Sequence, residues 1–202
     1  MNQSIDSKII TKMQKCGRGS AFFSADFIRF GEAKSVAKAL ERLANSGRII
    51  RVARGIYCYP KINKILGLGV IYPSFEEIAQ SIAKRDKAKI APTGDYALNR
   101  LGLSTQVPAN IVYLTDGSPR KIKVYDKFYI TFKRVTPKQL SFRHEIIMLL
   151  VFALKEIGEG KITSEQDDKI RNIVSKIPED MINDDKALIP VWIRDVIKKY
   201  YE

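Results

Sequence analysis

Histidine occurs once in this sequence, at His144, and cysteine twice, at Cys16 and Cys58. Two such cysteines have neither the number nor the spacing of a disulfide framework or a zinc knuckle. A Cys–His catalytic pair lacks the orienting motifs that nucleophilic chemistry needs. Both cysteines therefore read as small buried apolar residues in a reducing compartment. Long apolar runs are missing too: the longest, Ile146 to Leu154, is about half of the roughly 20 residues that a membrane-spanning helix requires. The first residues, MNQSIDSKIITKMQKC, lack the apolar stretch and small-residue cleavage site of a signal peptide. The expected compartment is the cytoplasm, with no membrane partner. No internal repeat, low-complexity stretch, metal-ligand spacing or cofactor motif is present, so neither a metal nor a cofactor is expected.

What the chain has is positive charge. Its 202 residues carry a net charge of +13, unevenly spread. Residues 1–72 hold 13 Lys/Arg against 4 Asp/Glu, residues 73–140 hold 12 against 6, and residues 141–202 hold 10 against 12. The basic excess lies in the first two-thirds, so a polyanion is expected to be met there.

The apolar pattern at the N-terminus changes period twice. Ile5, Ile9 and Met13 recur every four residues and predict a first helix, stopped by Cys16-Gly17-Arg18-Gly19. Ser24 is a suitable N-cap for a short helix, Ala25 to Phe30, that would bury Phe27 and Ile28. A third helix is expected from about Lys34 to Asn45, ending where Gly47 can take the left-handed conformation. Directly afterwards RIIRV and GIYCYP alternate as strands do, about a turn at Ala53-Arg54-Gly55. This order is that of a winged helix-turn-helix over residues 1–62, with Pro60 and KINKILGLG as a linker to an αβ region over 63–202.

That second region predicts a helix at Phe75 to Lys84, a strand at Lys89 to Ala91, and a helix through Ala97 and Leu101 capped by Thr93. Strands follow in NIVYLTD and in RKIKVY with FYITFKRV, the last two turning about Asp126-Lys127. Ile122, Val124, Phe128, Ile130 and Phe132 share one face of that hairpin; Lys121, Lys123, Tyr129, Thr131 and Lys133 share the other. The remainder, 141–202, reads as helical. Phe142 to Ile157 is apolar nearly all round and suits a buried central helix. Thr163 and Gln166 have capping-box spacing before the stripe Ile170, Ile173, Val174 and Ile177. Pro190 suits the start of a last helix bearing Trp192, Ile193, Val196 and Ile197. The expected class is α+β, with a small antiparallel sheet and C-terminal helices.

The third helix carries the functional expectation. A helix that reads the DNA major groove needs one face to hold it on its domain and another to present donors. Val36, Leu40 and Leu43 form the inward face of AKSVAKALERLANSG, while Lys34, Ser35, Lys38, Arg42 and Asn45 lie opposite, with Glu41 at the edge. Lysine and arginine there reach phosphates or guanine edges, and a serine near the helix start donates to phosphate. The hairpin adds Arg48, Arg51 and Arg54. A charge stripe on one helix is ordinarily just its solvated face; the short helix before it and the arginine-bearing hairpin after it make DNA contact the better reading.

The stretch GSAFFSADFIRFGEAKSVAKALERLANSGRIIRVARGIYCYP resembles the winged-helix domain of AbiEi-type antitoxins, in its Ala39-Leu40-Glu41-Arg42-Leu43 with Gly47 and its Ile50-Arg51-Val52-Ala53-Arg54-Gly55-Ile56-Tyr57 with Pro60. PTGDYALNRLGLSTQVPANIVYLTDG and RKIKVYDKFYITFKRV resemble the second domain of the same family, so the likeness spans about residues 5–140. It implies a bacterial or archaeal repressor of its own operon that binds inverted-repeat duplex DNA, as a homodimer or cooperating monomers, and counters a nucleotidyltransferase-like toxin. Arg42, Arg51 and Arg54 are the positions that it assigns to DNA contact.

Three other readings compete. A DNA-binding interaction module without a toxin would use the slightly acidic last third, ending in WIRDVIKKYYE. A metal-dependent nuclease would draw on Asp95, Asp116, Asp126 and Lys133, but no Asp/Glu-x-Lys strand triplet completes a set, and the expectation is of a protein that is not an enzyme. Tyr129 with the hairpin lysines is the weak form of a single-strand RNA signal.

Overall fold

The computed structural model describes residues 3–63 and 69–201. The protein is α+β, and it divides into two compact units: Met1–Ile82 with Ile122–Phe128, and Ala83–Lys121 with Tyr129–Glu202.

The first unit opens with α1 (Ile5–Cys16), β1 (Ala21–Phe23), a 3-10 helix (Ser24–Phe30), α2 (Ala33–Asn45), β2 (Ile50–Ala53) and β3 (Ile56–Cys58). Ile9, Ile10 and Met13 of α1 and Val36, Ala39, Leu40 and Leu43 of α2 close over Phe22 and Phe27. Each helix thus buries the stripe that its 3.6-residue period puts on one side. Gly47, at φ +69°, lets the chain reverse: the Arg48 N–H reaches back to the Leu43 carbonyl at 3.0 Å, and β2 begins two residues later. The β2–β3 hairpin turns at Arg54-Gly55 as the alternation predicts, with a bulge between Arg51 and Ala53.

Several local expectations are corrected. Ser24 is not an N-cap. Ala21–Phe23 form a strand paired with β3, and the Ser24 N–H is taken by the Gly55 carbonyl at 3.0 Å. Strand pairing therefore sets where the short helix starts, and the reciprocal contact is Asp26 accepting the Phe23 N–H at 2.7 Å. Phe27 is fully buried but Ile28 is 62% exposed. The helix is 3-10, with three residues per turn, so the residue beside an inward Phe27 is swung about 120° outward. Part of the expected linker is a second small sheet: β4 (Lys61–Asn63) pairs antiparallel with β5 (Gly69–Ile71), while residues 64–68 lie outside the described residues. Cys58 is buried, whereas Cys16, at the end of α1, is exposed. Helix α3 (Phe75–Asp86) begins within the first unit and ends in the second.

The second unit holds β6 (Ile90–Thr93), α4 (Asp95–Arg100), β7 (Asn110–Thr115) and most of the hairpin β8 (Arg120–Val124) and β9 (Phe128–Arg134). Thr93 is the last residue of β6, paired with Val112, so the cap of α4 falls to Gly94 at φ +64°. The hairpin faces are as the alternation predicts: Val124, Ile130 and Phe132 are buried and Lys121, Lys123 and Lys133 exposed. One pairing departs from an antiparallel sheet. Strand β7 runs parallel to β9, Asn110 opposite Tyr129 through Thr115 opposite Arg134, because β8 pairs on the far side of β9.

Helix α5 (Glu145–Ile157) is the centre of this unit. Leu149 through Leu154 are all buried, and α6 (Ser164–Val174), α7 (Glu179–Asp185) and α8 (Val191–Lys198) contribute Ile170, Val174, Ile182, Ile193 and Ile197 to the same core. The capping box of α6 forms as spaced: Thr163 Oγ1 accepts the Gln166 N–H at 3.3 Å, and Gln166 Oε1 accepts the Thr163 N–H at 3.1 Å. Pro190 precedes α8.

Helix α5 starts later than Phe142. The carboxylate of Asp185, only 2% exposed, accepts the Arg143 N–H at 2.8 Å and the His144 N–H at 3.0 Å, which holds both residues outside the helix at its N-terminal end. Replacing Asp185 by alanine strands two backbone donors, and a loss of about 2–4 kcal/mol is expected. Thermal melts of Asp185→Ala and Asp185→Asn check this: asparagine, which keeps one acceptor oxygen, should lie between alanine and the native protein.

Candidate nucleic-acid interface

The seven residues singled out for DNA contact, Lys34, Ser35, Lys38, Arg42, Arg48, Arg51 and Arg54, are all exposed. They come from three adjoining pieces of the first unit. Helix α2 supplies Lys34, Ser35, Lys38 and Arg42. The turn after it supplies Arg48, and the hairpin supplies Arg51 on β2 and Arg54 at its tip. The first turn of α2 carries no acidic residue and its Glu32 makes no side-chain cap. The positive end of the helix stands with Lys34 and Ser35 beside the exposed Glu32 carboxylate, so the two cations of its outward face, Lys34 and Lys38, are the groups there that favour phosphate.

Arg42 differs from the others. Its Nη2 donates to Asp6 Oδ1 at 2.6 Å and its Nε to Asp6 Oδ2 at 3.3 Å, a two-point pairing between α2 and α1. The hydrogen bond to the carboxylate holds the guanidinium above its already high pKa. Its angular position explains this: about 100° per residue puts Lys34, Lys38, Glu41 and Asn45 together opposite the buried stripe, and Arg42 to one side of them, above α1. Arg42 therefore ties two helices together as well as lying at the rim of the basic face.

Two further groups of cations in this unit escape a reading by nearest motif. Lys8, Lys12, Lys15 and Arg29 line a cleft of about 400 Å³ between α1 and the 3-10 helix. Their spacing along α1 was legible, although Lys12 is partly engaged, donating to the Asp26 carbonyl at 2.6 Å. Lys123 and Lys127 join the unit from the tip of the β8–β9 hairpin, where Val124 pairs with Ala53 of β2. No local signal joins segments so far apart in sequence. Burial, then the nearby Glu77 charge, raises the Cys58 thiol pKa to about 11, which disfavours the thiolate form.

The carboxylates considered for metal chemistry hold turns and helix ends. Asp116 accepts the Lys89 N–H at 2.7 Å, Asp95 opens α4, and Asp126 sits in the hairpin turn. Asp95 and Lys133 do line a common open cleft with Glu156. Among the described residues no group of three His, Cys, Asp or Glu side chains is placed to hold a metal ion. Tyr129 is half-buried with the Lys121 ammonium 4.2 Å from its ring centre. His144 Nε2 lies 3.2 Å from Asp184 Oδ2 at the start of α5. No helix among the described residues is long and apolar enough to cross a membrane.

No curated protein and no solved structure matches the chain. A family of unknown function (DUF6088) matches residues 8–182, a span that takes in the basic helix and hairpin together with most of the second unit, and the chain belongs to that family.

Proposed function

We propose that the protein is a sequence-specific duplex-DNA-binding regulator of the winged helix-turn-helix type, with α2 in the major groove and the β2–β3 hairpin as the wing on adjacent phosphates. One observation carries this reading. Val36, Ala39, Leu40 and Leu43 bury one face of α2 completely, its opposite face presents Lys34 and Lys38 around a single acid, Glu41, with Ser35 at its flank, and the hairpin that follows exposes Arg51 and Arg54. A helix held by its apolar stripe, with donors outward and a basic hairpin beside it, meets the steric and electrostatic requirements of groove reading. The resemblance to AbiEi-type antitoxins extends the proposal to repression of its own operon at an inverted repeat, bound as a dimer, and to countering a nucleotidyltransferase-like toxin in the cytoplasm.

The experiment is titration of purified protein against the duplex upstream of its own gene and against the same bases shuffled. Preference for the upstream duplex, with affinity falling steeply as salt rises, is the expected result. Equal weak binding to both duplexes would reduce the surface to a general polyanion site and remove the regulator reading.

A further inference from the structure

We propose that the tip of the β8–β9 hairpin is a second arm of the same interface, with Lys123 and Lys127 meeting backbone phosphates beside those met by the β2–β3 turn. The inference rests on the DNA-binding reading and adds to it a segment remote in sequence.

The segment Ile122–Phe128 belongs to the first unit. Val124 stands opposite Ala53 in an antiparallel pair, and the Tyr125 N–H donates to the Val52 carbonyl at 3.0 Å. The free edge of the wing is thereby covered, which accounts for the backbone but not for the side chains it carries. Arg54, the first turn residue after Ala53, and Lys123, the residue before Val124, lie at the same end of that pair. Like charges brought to one end of a strand pair repel each other. A row of phosphates relieves that repulsion, and each cation that meets a phosphate releases a counterion.

The tip is also held firmly. Tyr125 and Asp126 have φ of 50° and 56°, and the Lys127 N–H reaches the Val124 carbonyl at 3.3 Å, so the hairpin closes with left-handed conformations at both central residues. Such turns match the twist of a hairpin but favour glycine or asparagine; a tyrosine there is strained. Side-chain anchoring offsets the strain. The Tyr125 hydroxyl donates to the Pro73 carbonyl at 2.8 Å, and its ring meets Tyr72 edge-on at 5.5 Å. Burial raises its pKa far above the ordinary phenol value, so it remains a donor throughout the physiological range. Lys123 and Lys127 are both exposed on this pinned turn, and neither has an ion-pair partner among the described residues. Asp126 is the one acid between them, which leaves the tip net positive.

The test is a Lys123→Gln/Lys127→Gln double variant of the full chain, its fold checked by circular dichroism. Its affinity is measured across a salt series on the upstream and shuffled duplexes, beside a Lys38→Ala/Arg51→Ala/Arg54→Ala variant. Phosphate contacts carry no sequence information. The expected result is a loss of about tenfold that is equal on both duplexes, with the slope of log affinity against log salt shallower by about 1.8, or about 0.9 for each contact removed. Native affinity and slope in the lysine pair, with binding lost in the triple variant, would overturn the second arm and leave the helix-and-wing reading standing. Native binding in both variants would instead overturn the DNA reading itself, and the second arm with it.

Discussion

Exchanging Lys38, Arg51 and Arg54 together for alanine is expected to lower affinity for the upstream duplex by a factor on the order of 1,000, the largest functional effect that the proposed interface predicts. Each well-placed arginine or lysine contact to a base edge or phosphate is worth about 1–3 kcal/mol. All three residues are exposed and lie outside the core, so stability should change little. Selectivity separates the roles. Loss of a base contact by Lys38 relaxes preference for the upstream duplex over the shuffled one, whereas loss of phosphate contacts by Arg51 and Arg54 weakens both alike. Arg42→Ala should behave differently again, lowering affinity less than Lys38→Ala, because its guanidinium is shared with Asp6 across α1 and α2. Fluorescence anisotropy on the two duplexes reads each of these outcomes. An Arg42 effect larger than that of Lys38 would mean that the pairing with Asp6 gives way to DNA.

Replacing Phe27 by alanine is expected to cost about 3–5 kcal/mol, the range for deleting a buried aromatic. Phe27 is fully buried, with Phe22 and Phe30 ring centres 5.8 and 6.2 Å away and the Lys12 ammonium 5.3 Å from its own. That is a large share of the stability of a typical domain, and it falls on the core against which α2 packs. The groove-reading helix would lose its support, so DNA affinity should fall although no contacting residue has changed. Ile28→Ser is the matched control. At 62% exposed, Ile28 has little to lose, and a change within about 0.5 kcal/mol is expected. Denaturant melts of the two variants check the contrast between neighbouring apolar residues. Similar losses in both would mean that Ile28 is covered in solution by something beyond the described chain.

That contrast also marks what local pattern can and cannot reveal. In α2, sequence period alone separates buried Val36, Leu40 and Leu43 from exposed Lys34 and Lys38, because 3.6 residues per turn leaves no freedom in which side turns inward. At Phe27 and Ile28 the same logic fails, since the segment winds as a 3-10 helix and two adjacent apolar side chains give no hint of pitch. Ser24 illustrates a second kind of failure: a good cap by composition becomes a strand-end residue when β1 pairs with β3. The seven candidate contact residues were legible as types on an exposed face, but the engagement of Arg42 by Asp6 was not.

By itself the sequence determined the elements whose information is local. These are α1, α2, the turn at Gly47, the β2–β3 alternation, the capping box at Thr163 and the apolar run of α5, each specified by period or cap within one or two turns of chain. Only the tertiary structure decided the partners: Val124 beside Ala53, β7 parallel to β9, Asp6 on Arg42, and Asp185 beneath the start of α5. Strand and carboxylate partners satisfy backbone or charged groups that any complementary neighbour could satisfy, so their identity is set by which segments the packed cores bring together.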